Sequence, residues 1–152
     1  MKTGQICAAV MLLVPASLAL AAEPPPLREG LWEIRSQTTA NPGNRTDEGT
    51  FQLCRDHASD KIADSVAKNA KGFTVSLQSE GGGKYSLASH GTLGGTVITT
   101  KGTAVYKGGT SVHSESRTTY SPALDGRTDE TTIQDQTYVD RCPDGMKPGD
   151  RQ

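Results

Sequence analysis

From Phe73 onward, apolar residues recur at every second position, and glycine-rich or Asp-Gly steps break the run at regular intervals. A period of two is the spacing of a strand with one face turned to a core. Phe73, Val75 and Leu77 alternate with Thr74, Ser76 and Gln78, and Tyr85 and Leu87 continue the pattern beyond Gly81-Gly82-Gly83. Val97 to Tyr106 has apolar residues on both faces, which predicts a central strand covered on both sides. Lys107-Gly108-Gly109-Thr110 is a hairpin connection into Ser111 to Tyr120. Ser121 to Gly126 then reads as a loop, ending in an Asp125-Gly126 turn, before a last strand from Arg127 to Cys142. Glycines at these breaks supply the positive φ that tight sheet turns require.

The front of the chain adds two strands and a helix. Leu31 to Arg35 places Trp32 and Ile34 on one face, Asn41-Pro42-Gly43-Asn44 turns, and Thr50 to Cys54 places Phe51 and Leu53 on one face with Cys54 on the other. Next, Ala58, Ile62, Val66 and Ala70 recur every four residues, widened by Ala63 and Ala67. This predicts a helix with a core-facing stripe, Asp56 as its N-cap and Gly72 as its C-cap. Its small side chains would let it lie close against the sheet, as a candidate cover for the central strand. The expected fold class is mainly β: a curved antiparallel sheet or partly closed barrel of about seven strands, with one α-helix after the second strand.

The first residues set the compartment. Lys2 followed by an apolar stretch from Ile6 to Leu20 and by Ala19-Leu20-Ala21 reads as a Sec-type signal peptide, residues 1–21, that is removed on export to the periplasm. The apolar run falls short of the roughly 20 residues that span a bilayer, and no later stretch is apolar enough to do so, so no transmembrane segment is expected. Residues 22–29 form a proline-containing extended leader, and 30–152 one β-rich domain. Cleavage removes Lys2 and no acidic residue, leaving 15 basic against 17 acidic residues, a formal charge of −2 with the signs interspersed. That is no footprint for nucleic acid.

Cys54 and Cys142 are the two cysteines left after cleavage, in a compartment where disulfides form. An intramolecular disulfide, an intermolecular bridge and a reactive thiol are all open to them. A thiol enzyme would need Cys54 free beside Arg55 and His57. His113, Glu115 and Arg117 share one strand face and read as a solvated polar face; a metal or acid-base site there would need His90 or a cross-strand carboxylate. The histidines match no recognised metal pattern, the glycines no phosphate loop and the serines no nucleophile elbow. No catalytic residue, metal site or cofactor is therefore expected. Seven aromatic residues serve the whole chain. Of these, Trp32, Tyr85, Tyr106 and Tyr138 are candidates to line a pocket for a small apolar ligand, although with so few aromatics the simpler reading is that they are the core itself.

Gly30-Leu31-Trp32-Glu33-Ile34 after a proline-containing leader, with a cysteine some twenty residues on, opens the domain, and Cys142-Pro143-Asp144-Gly145-Met146-Lys147-Pro148-Gly149-Asp150 closes it. In these elements the chain resembles the bacterial exported family called domain of unknown function 3617. The resemblance implies a small periplasmic β-rich protein. It transfers the outer cysteine pairing onto Cys54 and Cys142 and brings no catalytic residue. Lys147, Pro148, Gly149 and Asp150 read as an exposed turn, either a partner-recognition surface or a disulfide-anchored tail. The function expected is that of a non-enzymatic exported envelope protein binding a small ligand or an envelope partner. The alternatives are a structural or accessory subunit of an envelope assembly, or a thiol- or histidine-based enzyme.

Overall fold

The computed structural model describes residues 23–152; the expected signal segment lies outside them. Seven strands follow one another as β1 (Gly30–Asn41), β2 (Arg45–Arg55), β3 (Phe73–Gly81), β4 (Lys84–Leu93), β5 (Thr96–Lys107), β6 (Ser111–Leu124) and β7 (Arg127–Asp140). The helix α1 (His57–Lys68) sits between β2 and β3. All seven strands join one curved antiparallel sheet in the order β2-β1-β7-β6-β5-β4-β3. β2 and β3 are its two edges, so the sheet is open rather than closed on itself. The expected mainly-β class, the strand number and the place of the helix all hold.

β3 to β7 form a meander of adjacent hairpins, each closed where the sequence has its glycines. At the β6–β7 turn, Asp125 and Gly126 both take positive φ, 48° and 78°. This is the backbone that a two-residue turn matching sheet twist demands. The segment expected as a loop is largely strand: β6 runs on through Ser121 to Leu124 before that turn. β2 begins at Arg45, earlier than the apolar pattern implied, because the first part of the strand is polar and exposed on both faces. The last strand ends at Asp140, two residues before Cys142.

Antiparallel partners share a face, and so do residues two apart along a strand. Following the pairing across the sheet, Phe51, Trp32, Tyr138, Tyr106, Tyr85, Tyr120 and Phe73 all project from one side. We call it the aromatic face. The opposite, polar face carries Glu33, Arg35, Lys101, His113, Glu115, Arg117 and Asp135.

The core is small and lies at one end of the aromatic face. Leu27, Trp32 and Val112 are its buried centre, with Ala104, Tyr106 and Tyr138 packed against it. Leu27 belongs to the leader, which is therefore part of the folded unit and not a preface to it. Arg28 N–H donates to Gly109 O at 2.8 Å, and Trp32 Nε1–H donates to Arg28 O at 2.8 Å. The Tyr85 hydroxyl donates to Glu23 O at 3.4 Å. Residues 23–28 adopt no regular structure, yet these bonds tie them under the ends of β1, β4 and the β5–β6 hairpin.

The helix departs most from expectation. Asp56 caps it as expected, in a reciprocal capping box with Ser59, but Asn69 rather than Gly72 closes it. None of its residues is buried, and Ile62 and Val66 are 66% and 68% exposed. The strand β5 accordingly lacks the expected second cover, and Val97 on its polar face is 38% exposed. The reason lies in the topology. The β2–β3 connection must cross from one edge of the sheet to the other, six strand spacings or about 29 Å when flat. Twelve helical residues supply only about 18 Å of that. The helix is used up in crossing, pinned at its start and touching chiefly β3 at its far end.

Candidate functional site

The four aromatic residues singled out in the sequence come together at the core end of the aromatic face. Trp32 and Tyr138 meet edge to face with centroids 6.2 Å apart, and Tyr85 and Tyr106 do so at 5.3 Å. Trp32 is fully buried and Tyr85 nearly so. They are packed as core, with Leu27 of the leader among them.

Guanidinium groups cover this aromatic ground. Arg55 lies 5.2 Å from the Trp32 ring centroid and Arg28 4.3 Å from that of Tyr138. Arg151 and Arg127 stand similarly over Phe51 and Tyr120. These are distances at which a cation is attracted by the ring face. Arg55 also fixes the helix, donating through Nε to Asp60 Oδ1 at 2.9 Å and through Nη1 to Gln136 Oε1 at 2.7 Å. His57 N–H donates to Glu29 Oε1, and His57 Nε2 lies 3.0 Å from Leu27 O. The start of α1 is thus clamped onto the leader, on the aromatic face. Burial, then the negative charge of Asp64 on α1, raises the Tyr106 phenol above its ordinary 10.0.

Beyond the core end, the same face carries a second apolar strip: Phe73, Val75 and Leu77 of β3, Leu87 of β4, Ile98 of β5 and Tyr120 of β6. This strip is incompletely covered. Val75 is 38% exposed and the others are half-buried. At its end Phe73 lies over Gly91, where an added Cβ would come within 2.4 Å of the ring. Tyr120 is held un-ionised up to about 12 by burial and then by neighbouring Glu130, with Arg127 opposing. The sequence showed these residues as an alternating pattern but gave no hint that helix and sheet would leave them open. The only available signal was their shared parity with Tyr85 along β4 and across to β3.

On the polar face, the cross-strand carboxylate that His113 lacked in sequence is present. Asp135 Oδ1 is 2.7 Å from Nδ1, and Glu115 Oε1 is 3.2 Å from Nε2. Bonding to Asp135 first, and to Glu115 second, raises the imidazole above its ordinary 6.5. A carboxylate oxygen stands at each ring nitrogen, so the ring links β6 to β7. Among the described residues no group of three or more His, Cys, Asp or Glu side chains is placed to hold a metal ion. A depression of about 330 Å³ beside Asp135 is lined by Glu33, Arg35, Thr137 and Val139, and its Glu33 and Arg35 pair with each other at 2.7 Å. His90 bonds Thr99 Oγ1 and stands apart.

Cys54 and Cys142 form an intramolecular disulfide closing 88 residues. The sulfur chemistry of Cys54 is therefore structural, and no thiolate sits before the helix. Beyond Cys142 the chain turns back: Lys147 N–H donates to Asp150 Oδ2, and Asp150 N–H to Lys147 O. Gly149 to Gln152 then pair with the outer edge of β2. Gly149 N–H donates to Cys54 O, Cys54 N–H to Asp150 O, and Gln52 and Gln152 exchange two bonds. Lys147, Pro148, Gly149 and Asp150 thus form the turn of a disulfide-anchored tail that caps half of one sheet edge.

No helix among the described residues is long and apolar enough to cross a membrane. Comparison with known proteins found no matching family model, no matching curated protein and no matching solved structure.

Proposed function

We propose that this protein is a non-enzymatic, exported envelope protein that binds an elongated apolar ligand on its aromatic face, between α1 and β3–β5. The observation that carries this reading is the unequal cover of that face. The core end is sealed by the leader and by stacked arginines. The strip Phe73, Val75, Leu77, Leu87, Ile98 and Tyr120 has Arg127 over its Tyr120 end and otherwise a bridging helix, which leaves Ile62 and Val66 exposed.

The chemistry favours a chain over a compact molecule. Association costs roughly 4–15 kcal/mol in lost freedom. Each buried methylene returns about 0.8 kcal/mol, so roughly ten or more are needed before binding is useful. The strip runs along β3 and across to β6, four strands in all, a shape that a chain can follow. Export to the periplasm with removal of residues 1–21, and membership of the family that the opening and closing motifs resemble, belong to this same proposal. The disulfide counts against the thiol-enzyme alternative, because it occupies Cys54; for the histidine alternative, both nitrogens of His113 already face carboxylates, while His57 stands 3.4 Å from Glu29 with both side chains exposed.

The test is binding of an environment-sensitive apolar dye, displaced by a long-chain amphiphile, in the wild type and in an Ile62→Lys/Val66→Lys variant. Both positions are exposed, so the variant keeps the fold, checked by circular dichroism. At least tenfold weaker binding in the variant is expected. Equal binding, or none in either protein, refutes the reading.

A further inference from the structure

The two edges of the sheet are treated very differently. Along β2, Gln52 and Cys54 are paired with the tail, and the rest of the edge carries Arg45, Asp47 and Glu48. Charges and a covering segment are the usual means by which an edge is kept from pairing with another chain. Along β3 neither device is present. Phe73–Gly81 contains no lysine, arginine or proline, and its one charge, Glu80, is taken up by Lys84 at 2.9 Å. The irregularity in its pairing lies only at the end, between Ser79 and Gly81.

The hydrogen bonds show which backbone groups of β3 are free. Gly83 O accepts from Tyr106 N–H, so odd-numbered residues of β4 bond toward β5. Even-numbered ones bond toward β3, as Thr92 N–H does to Gly72 O. In an antiparallel ladder, Thr74, Ser76 and Gln78 therefore bond inward to β4, and Val75, Leu77 and Ser79 turn their N–H and C=O groups outward, as Phe73 does its C=O, its N–H being taken by Ala70 O at 3.1 Å.

We propose that this edge pairs with the β3 edge of a second copy, antiparallel about a two-fold axis at Ser76. In that register each Val75 faces the partner's Leu77 on the aromatic face, and each Phe73 faces the partner's Ser79. Thr74 faces Gln78 and Ser76 faces Ser76 on the polar face. No charge meets a like charge, since Glu80 falls opposite Gly72. Because the Phe73 N–H is already bonded to Ala70 O, the four outward pairs give roughly six backbone bonds. The two half-exposed apolar strips become neighbours, and Val75, 38% exposed in the single copy, is covered. The symmetry is closed, so pairing stops at two. A single strand pair is a small contact for a stable dimer, so a weak, reversible association is expected.

Sedimentation of the oxidised protein over roughly 1 to 200 µM tests this. A monomer–dimer equilibrium is expected. Val75→Pro removes an outward donor and no β3–β4 bond, and it should weaken dimerisation at least tenfold. Ser76→Cys places two thiols across the axis at a Cα separation of about 4.5 Å, so mild oxidation should link it into a covalent dimer much faster than Thr74→Cys. A wild type that stays monomeric throughout overturns the proposal, and so does a dimer that Val75→Pro leaves intact. Equal cross-linking of the two cysteine variants overturns it as well. None of these outcomes depends on whether the aromatic face binds a ligand.

Discussion

Among the described residues Trp32 and Cys54 are the two largest fully buried side chains, and they hold one corner of the molecule from opposite faces of the sheet. Trp32→Ala removes the centre of a small core and leaves Arg28 O without its indole donor, so a loss of about 3–5 kcal/mol is expected in urea unfolding. On the other face, Cys54→Ala and Cys142→Ala each release a loop of 88 residues. Chain entropy puts that at roughly 4–5 kcal/mol, and the two variants should lose alike. Unequal losses would mean that one cysteine has a role beyond the bond. His113 gives a pH signature. Its imidazole is raised above 6.5 by Asp135 and Glu115, so the protonated form is the stabilised one. That contribution is complete below 6.5 and fades as pH climbs through the raised value of the folded state. For an exposed pair it amounts to under about 1 kcal/mol. NMR titration should find the ring above 6.5 in the wild type and lower in Asp135→Asn.

At the scale of elements, local pattern and tertiary demand disagree at α1. Its start was legible because Asp56 and Ser59 can satisfy the first backbone donors by themselves. Its end was not, because Gly72 does take positive φ, three residues past the true cap. The four-residue stripe promised a packed face; the need to cross seven strands took precedence. Ile62→Lys and Val66→Lys should each change stability by less than about 0.5 kcal/mol. The leader gives the reverse case, a segment with no pattern that proves indispensable. Leu27→Ala should cost about 2–4 kcal/mol in the same unfolding assay, since its side chain fills the cluster with Trp32 and Val112. Nothing local marks Leu27, flanked by prolines and charges, as a core residue. The strands were readable because period two and glycine turns are local signals, and the polar start of β2 was missed for lack of them.

For the whole molecule, the meander followed from adjacent hairpins, but the pairing of β1 with β7 joins residues about a hundred positions apart and no local pattern encodes it. The cysteine pair was the one distant clue. β2 lies beside β1, β1 beside β7, and Cys54 and Cys142 lock that order. The result is a sheet with one edge half capped, the other free along Val75 to Ser79, and an aromatic face sealed at one end only. The candidate site was half legible: Trp32, Tyr85, Tyr106 and Tyr138 do gather, but as the sealed core. The open strip could emerge only once the path of the helix was known. Native mass spectrometry of protein purified from its own envelope, without reductant, tests the ligand reading most directly. The expected species is the chain lacking residues 1–21, about 2 Da lighter than its reduced form. It should carry an added mass that leaves on denaturation and is absent from Ile62→Lys/Val66→Lys. A bare oxidised mass in every preparation would contradict it.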